Sequence, residues 1–281
     1  MSTITHETKP KQTLFRSNPV LNRMNKITER SETNAATYAG IAMKTTYFLV
    51  VTLLGMIAQL LVKNAMAAEP VWKSFEIYKK FVVTLSLKEV YILGGVVIGG
   101  FIFEMIGIFA RKTIPVTGTL YSTCQGYLIS FLVFKVLVGY EYLGLEALLL
   151  TVAVVLVMSW LYTSGIIKVD KKFRTVLLAL LLGSVGVGLL TFVGSLIPAT
   201  RPFVQSITQN PVISIAVDVL GLVIASLFLI SDFSMIQECV EQGYPKDCEW
   251  YAAFGLVFTV IWLYLKILDL LMQLAGKDDK K

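Results

Sequence analysis

The chain has 281 residues, of which 56% are hydrophobic and only 16% are charged, and its mean hydropathy is +0.71. Charges this sparse cannot cover a water-soluble surface, so we expect the apolar residues to face lipid. The formal net charge of +6 does not indicate a nucleic-acid partner, because the lysines and arginines lie in tails and short loops instead of on one basic face.

Two polar tails frame the apolar part of the chain. Residues 1–40 are rich in Thr, Asn, Lys and Arg, and no apolar core of signal-peptide length precedes the first long apolar run. We therefore expect an N-terminal tail and not a cleaved signal. A charged C-terminal tail is expected at 276–281, which leaves 41–275 as one transmembrane domain.

Seven long apolar runs lie in this domain. Each is close to the ~20 residues that cross ~30 Å of hydrocarbon at 1.5 Å per residue, and the period-two alternation of a membrane barrel is absent. The runs are predicted at 43–62, 90–110, 118–138, 147–167, 175–197, 212–235 and 250–273. The sequence therefore predicts an all-α integral membrane protein with seven transmembrane helices, and the segment 63–89 leaves room for an interfacial helix.

Glycines are concentrated in the second and fifth runs. They are Gly94, Gly95, Gly99 and Gly100 in the second run, and Gly183, Gly186, Gly188 and Gly194 in the fifth. Small residues let helix backbones approach closely where lipid offers no hydrophobic drive. We therefore expect these two helices to pack inside the bundle.

The distribution of basic residues predicts an orientation. Lysines and arginines are more numerous on the side of the N-terminus than on the opposite side, with a cluster at 168–174. This bias favours a cytoplasmic N-terminus, and seven crossings then place the C-terminus outside.

Few residues are suited to metal or cofactor chemistry. The only histidine is His6, in the polar tail, so a histidine-ligated zinc or haem site is not expected in the membrane part. Cys124, Cys239 and Cys248 do not indicate a disulfide scaffold. Lys266 lies in the seventh run, where a retinal Schiff base would sit, but the third run has no acidic counter-ion. The sequence predicts no cofactor, no metal site and no enzymatic activity.

Polar residues at membrane depth point to a site. A charge at the bilayer centre costs ~2.5–3.5 kcal/mol on insertion scales, yet Glu104 and Asp232 lie in the second and sixth runs. Gln125 and Thr259 fall in the same half of the bilayer, which predicts a cytoplasm-facing polar crevice. A carboxylate there responds to protons, because desolvation and the nearby Arg111 act on its charged form in opposite directions. The alternative is an ordinary helix-packing network of hydrogen bonds.

A second polar pair is expected in the outer half of the bilayer. Asp218 in the sixth run and Lys266 in the seventh lie at comparable depth, so we predict that the two side chains approach each other. Lys135 and Asp269 lie near the ends of their runs and are expected to snorkel toward the interface.

Several motifs resemble the Bax-inhibitor family. They are LFLISDF at 227–233, GYPKDCEWYAAFG at 243–255 and WLYLKIL at 262–268. The segments SNPVLNR at 17–23 and TLYSTCQG at 119–126 are similar to the bacterial YccA-like branch. This resemblance implies six helices around a central seventh and a pH-sensitive calcium leak.

The resemblance also assigns residues. In bacterial relatives an aspartate pair on helices six and seven forms the pH sensor that closes the pore, and the first of these corresponds to Asp232. The second corresponds to Thr259, or to Lys266 in a shifted alignment, so a carboxylate pair sharing a proton cannot form. Gln125 stands where this branch often has Glu, and Glu104 is a candidate for the missing acid.

Two functions are consistent with these residues. One is a pH-sensitive cation (calcium) leak channel in which helix seven is the moving plug. The other is a non-transporting regulator of stress survival or membrane-protein quality control that contacts other membrane proteins, such as proteases. The expected partners are the lipid bilayer, calcium or other cations and such proteins, and the expected location is a bacterial inner membrane.

Overall fold

The structure is a computed structural model that describes residues 35–77, 80–208 and 210–278. The N-terminal tail up to residue 34 lies outside the described residues, as does the end of the C-terminal tail. The described elements are α1 (Tyr38–Ala65), β1 (Lys73–Ile77), β2 (Phe81–Leu85), α2 (Leu87–Phe109), α3 (Ile114–Phe131), α4 (Tyr142–Thr163), α5 (Lys171–Leu196), α6 (Arg201–Thr208), α7 (Pro211–Glu241) and α8 (Asp247–Asp278). A 3₁₀ turn at Arg111–Thr113 precedes α3, and a π-helical turn at Leu132–Val136 extends it.

Polar side chains start several of these helices. Thr37 caps α1, Asp170 caps α5 and Asn210 caps α7, each by accepting hydrogen bonds from backbone N–H groups of the first turn. Ser86 and Glu89 form a reciprocal capping box at the start of α2.

Within the part of the chain that the structure describes, six helices are long and apolar enough to cross a membrane: α1, α2, α4, α5, α7 and α8. The prediction of an all-α integral membrane protein is confirmed at this level. The predicted count of seven is not confirmed, because α3 is not apolar enough to be counted with these six helices. It occupies the place of the third predicted run, but its 18 residues include many polar ones.

The core lies where α8 meets its neighbours. Helix α8 packs on α1, α3, α4 and α7, and among the six spans it has the largest buried share. Phe48 on α1 and Tyr121 on α3 both lie against Phe254 of α8, with ring centroids 6.1 Å and 5.4 Å apart. Helix α2 packs on α3, and α5 packs on α6 and α7.

The prediction that the glycine-rich helices lie inside the bundle is wrong for both helices as a whole, although Gly100 of α2 is buried and lies against Cys124 of α3. Only 11% of the apolar window of α2 and 6% of that of α5 is buried. A Cβ built on Gly94, Gly95, Gly183, Gly186 or Gly188 would meet nothing within 4 Å. The close approach occurs between α1 and α3, where a Cβ on Gly55 or Gly126 would clash with a backbone carbonyl of the other helix. The number of glycines in a helix therefore does not indicate how deeply that helix is buried. The contact that a glycine makes with a neighbouring helix does.

The segment between α1 and α2 forms an antiparallel hairpin instead of an interfacial helix. Lys73 pairs with Leu85 and Ile77 with Phe81. The side chains of Phe81, Val83 and Leu85 are buried, whereas Val82 and Thr84 are exposed. This alternation of buried and exposed side chains is typical of a strand with one face against the core.

The bundle has two ends that are marked by different contacts. At the first, which we call the N-terminal end, Ala36 N donates to Tyr244 O at 2.7 Å, so the start of α1 meets the α7–α8 loop. At the opposite end, which we call the hairpin end, Lys80 Nζ donates to Ala275 O of α8 at 2.8 Å.

Candidate functional site

The α7–α8 interface contains a buried carboxylate. Oδ2 of Asp232 is fully buried, and no group in the described part of the chain hydrogen-bonds to it. Thr259 of α8 is 3% exposed, interacts with the Asp232 side chain, and donates from Oγ1 to Gly255 O at 3.1 Å. Gly255 lies on the same side of α8, since a Cβ built there would be in ordinary van der Waals contact with Oδ1 of Asp232, at 3.8 Å. The structure thus brings together two of the predicted site residues.

A second polar cluster lies between α2 and α3. Tyr121 is buried, its side chain is hydrogen-bonded to Gln125, and the charge of Glu104 acts on it. Oε1 of Gln125 and Oγ of Ser122 are buried without a hydrogen-bond partner among the described residues. Tyr121 was not among the predicted site residues. Tyr121 and Gln125 are four residues apart and so lie on one face of α3, and this spacing could have indicated that Tyr121 belongs to the site.

Helix α8 separates the two clusters. Phe254 and Phe258 face Tyr121, with ring centroids 5.4 Å and 6.0 Å away. The Gly255 and Thr259 side of the same helix faces Asp232. The four residues predicted to share one crevice are therefore arranged as two pairs on different faces of α8.

Arg111 lies between Asp232 and the N-terminal end. Its guanidinium carbon lies 4.4 Å from the centroid of the Tyr251 ring of α8, and its N–H groups interact with the Tyr251 hydroxyl. The charge of Asp232 acts on the same tyrosine. The charges of Arg111 and Asp232 therefore both act on Tyr251, a residue that was not predicted from the sequence.

Two ion pairs fasten the N-terminal end. Glu249 of α8 is 2% exposed, accepts hydrogen bonds from Thr37 N at 2.9 Å and Thr37 Oγ1 at 3.2 Å, and pairs with Lys44 of α1. Arg174 of α5 donates to Glu238 Oε2 of α7 at 3.2 Å. Glu249 lies in a motif that carried the family resemblance, but its partners are more than 200 residues away in sequence, so spacing gave no signal.

The predicted approach of Asp218 and Lys266 is confirmed. Lys266 Nζ donates to Asp218 Oδ1 at 3.0 Å, and Gln273 Nε2 donates to Asp218 Oδ2. Ser214 Oγ completes the network by donating to Gln273 Oε1 at 2.9 Å. Every polar group in this network is therefore paired.

Lys135 does not simply snorkel toward the interface. Its Nζ pairs with Glu89 Oε1 at 2.6 Å, at the start of α2. The same carboxylate belongs to the capping box, so the lysine fastens the end of α3 to the start of α2. Among the described residues, no three His, Cys, Asp or Glu side chains are grouped so that they could hold a metal ion.

Long apolar helices with carboxylates buried at helix interfaces define a polytopic membrane protein. The family model described as Bax inhibitor 1 like matches residues 18–276, which is most of the chain. The chain therefore belongs to the Bax inhibitor 1-like family. A search of curated proteins gives no significant match.

Proposed function

We propose that this protein is a non-enzymatic, pH-sensitive leak pathway for cations, with calcium as the principal ion. The observation that carries the proposal is the buried Oδ2 of Asp232, which lacks a hydrogen-bond partner among the described residues. A buried carboxylate oxygen without a hydrogen-bond partner is costly in a membrane protein, and such residues commonly mark ion or proton pathways. The neighbouring Thr259 hydroxyl adds a neutral oxygen of the kind that hard cations accept as a ligand.

The pathway is proposed to follow the α7–α8 interface toward the N-terminal end. Asp232, Tyr251 and Arg111 succeed one another in that direction. Movement of α8 relative to α7 would open or close the interface, so α8 acts as the plug. With Thr259 in place of a second acid, Asp232 acts as a single proton acceptor and gives a shallow response to pH.

We further propose that α3 is a seventh crossing. Its π-helical extension ends at Val136, next to the Lys135–Glu89 pair at the start of α2, whereas its first turn lies beside Arg111. Most polar residues of α3 are buried or half-buried, and α1, α2 and α8 pack against this helix. The N-terminal end is proposed to face the cytoplasm of a bacterium of the YccA-like branch, with the protein in the inner membrane.

The second candidate is a regulator that does not transport ions. The observation that favours it is the pairing of Asp218 with Lys266 and of Glu249 with Lys44. Satisfied pairs of this kind stabilise helix packing without a watery path. In this role the protein would act through contacts with other membrane proteins, such as quality-control proteases, in stress survival.

Flux into liposomes distinguishes the two candidates. Calcium and proton entry would be measured from about pH 5 to about pH 8 for the wild-type protein, Asp232→Asn and Glu104→Gln. The control is Glu241→Gln, which neutralises an exposed carboxylate on the same helix α7.

The leak pathway predicts flux that rises with pH, because the ionised Asp232 attracts cations. Asp232→Asn should give low flux without this pH dependence, and Glu241→Gln should behave as the wild type. Folded wild-type protein that gives no flux above empty liposomes at any pH would reject the leak pathway and favour the regulator.

A further inference from the structure

Two of the three cysteines meet at the α7–α8 loop. Sγ of Cys239 lies 2.6 Å from Sγ of Cys248, and both cysteines are free thiols. Cys239 is in the last turns of α7 and Cys248 is the second residue of α8. We propose that Cys239 and Cys248 form a reversible thiol–disulfide site that joins the end of α7 to the start of α8.

The backbone holds the two cysteines at this separation. Tyr244 N donates to Cys239 O at 3.0 Å, and Cys248 N donates to Pro245 O at 2.8 Å. Gly243 reverses the chain between them with a φ of +62°, a conformation that favours glycine. A disulfide requires its two Cα atoms to be close and its side chains to point at each other, and this tight loop meets the second condition by placing the sulfurs in contact.

The surroundings of the sulfurs differ from those of an inert buried cysteine. The two sulfurs are buried against each other, which opposes thiolate formation, but Arg111 is close enough for its positive charge to act on both, and a neighbouring guanidinium is one feature of reactive thiols. The short loop between the two cysteines includes the exposed Lys246, so local opening of this surface segment would give an oxidant access. Cys124 is a half-buried thiol in α3, on another element, and serves as an internal comparison.

The reaction requires a peroxide as oxidant. One thiol attacks a peroxide oxygen and yields a sulfenic acid and one water, and the second thiol then displaces the sulfenic oxygen as a second water. Two electrons pass from the sulfurs to the peroxide. A small dithiol reverses the reaction by thiol–disulfide exchange and is itself oxidised to a disulfide.

The site is placed where it can control helix packing. Each cysteine adjoins a carboxylate that binds another helix: Glu238 pairs with Arg174 of α5, and Glu249 pairs with Lys44 of α1. Oxidation would therefore fix the junction of α1, α5, α7 and α8. Asp232 lies about two helical turns from Cys239 on α7, so a closed disulfide would also restrain the α7–α8 interface, a consequence that rests on the proposed leak pathway.

Peptide mapping tests the site directly. Trypsin cleaves after Lys246, between the two cysteines, so a disulfide joins two peptides that are otherwise separate. Purified full-length protein in detergent would be treated with hydrogen peroxide, alkylated under denaturing conditions and digested, with and without a dithiol. The variants are Cys239→Ser, Cys248→Ser and, as the matched control, Cys124→Ser.

We expect peroxide to lower the number of alkylated cysteines from three to one in the wild type and to join the two peptides. The dithiol should reverse both changes. Cys124→Ser should still form the linked peptides, and neither of the other variants should. Three reactive thiols after peroxide, or separately over-oxidised cysteines without linked peptides, would overturn the proposal.

Flux measurements separate this inference from the proposed function. If the linked peptides form, the oxidised wild type should leak less calcium than the reduced protein, whereas Cys239→Ser should show no such change. Linked peptides with no flux in either redox state would reject the leak pathway and leave the thiol–disulfide site established.

Discussion

Lys266 of α8 donates a hydrogen bond from Nζ to Oδ1 of Asp218 on α7, at 3.0 Å. The pair connects α8 to α7 in the half of the bundle opposite Asp232. Gln273 and Ser214 complete the network. Removal of Lys266 would leave the buried Asp218 without its counter-ion, and removal of Asp218 would leave the half-buried Lys266 unpaired.

The first prediction concerns this pair. Asp218→Asn and Lys266→Gln should each lower the thermal stability of the protein in detergent. The double variant should lose less than the sum of the single losses, with a coupling free energy of about 0.5–3 kcal/mol. Unfolding followed by tryptophan fluorescence measures all four proteins, and strictly additive losses would show that the pair contributes no interaction of its own.

The second prediction concerns glycine packing. Gly126→Ala should destabilise the protein by about 1–3 kcal/mol, because the added Cβ would clash with the carbonyl of Thr52 on α1. Gly186→Ala is the matched control, since a Cβ there meets nothing within 4 Å. The control should be neutral or gain up to about 1 kcal/mol from higher helix propensity. Equal melting temperatures for the two variants would contradict the α1–α3 contact.

The third prediction concerns the buried carboxylate at the N-terminal end. Glu249→Gln removes the ion pair with Lys44 and weakens the hydrogen bonds from Thr37. Hydrogen bonds to charged groups contribute about 1.5–3 kcal/mol each, so a loss of about 2–4 kcal/mol in unfolding free energy is expected. Limited proteolysis should also cleave near residue 37 faster. Glu241→Gln, at an exposed carboxylate, should change neither measurement.

The fourth prediction concerns the number of protons that control flux, and it rests on the proposed leak pathway. The wild type should respond to pH as a single carboxylate does. Thr259→Asp would place a second acid against Asp232, and two acids that share a proton titrate in coupled steps. The variant should therefore respond to pH over a different range and with two resolvable steps. A profile identical to the wild type would mean that position 259 does not face the ion path.

The sequence predicted those features that depend on position along one helix. Depth arithmetic placed Asp218 and Lys266 at the same level, and the structure pairs them. The same arithmetic placed Glu104 and Asp232 in one half of the bilayer. Depth along the membrane normal, however, does not determine which face of α8 a side chain approaches. The two residues therefore belong to separate clusters on different faces of that helix.

Features that depend on partners distant in the chain were not predicted. Glu249 and Thr37 are 212 residues apart, so no local pattern links them. Gly186 and Gly126 have the same residue type in similar apolar surroundings, yet only Gly126 touches another backbone. The hairpin was missed because β2 has only five residues and its exposed Val82 is itself apolar, so the sequence does not alternate where the burial does.

The hairpin end gives α8 an anchor supplied from far away in the sequence. The last carbonyls of a helix have no partner within it and carry the negative end of its dipole. Lys80, 195 residues earlier, places its ammonium on one of these carbonyls, and the same ammonium lies 4.4 Å from the centroid of the Tyr140 ring. Sliding of α8 along its axis would therefore have to move the α1–α2 connection with it or break this contact. If α8 moves as the proposed leak pathway requires, tilting or rotation about Lys80 would keep the contact, whereas a piston-like shift would not.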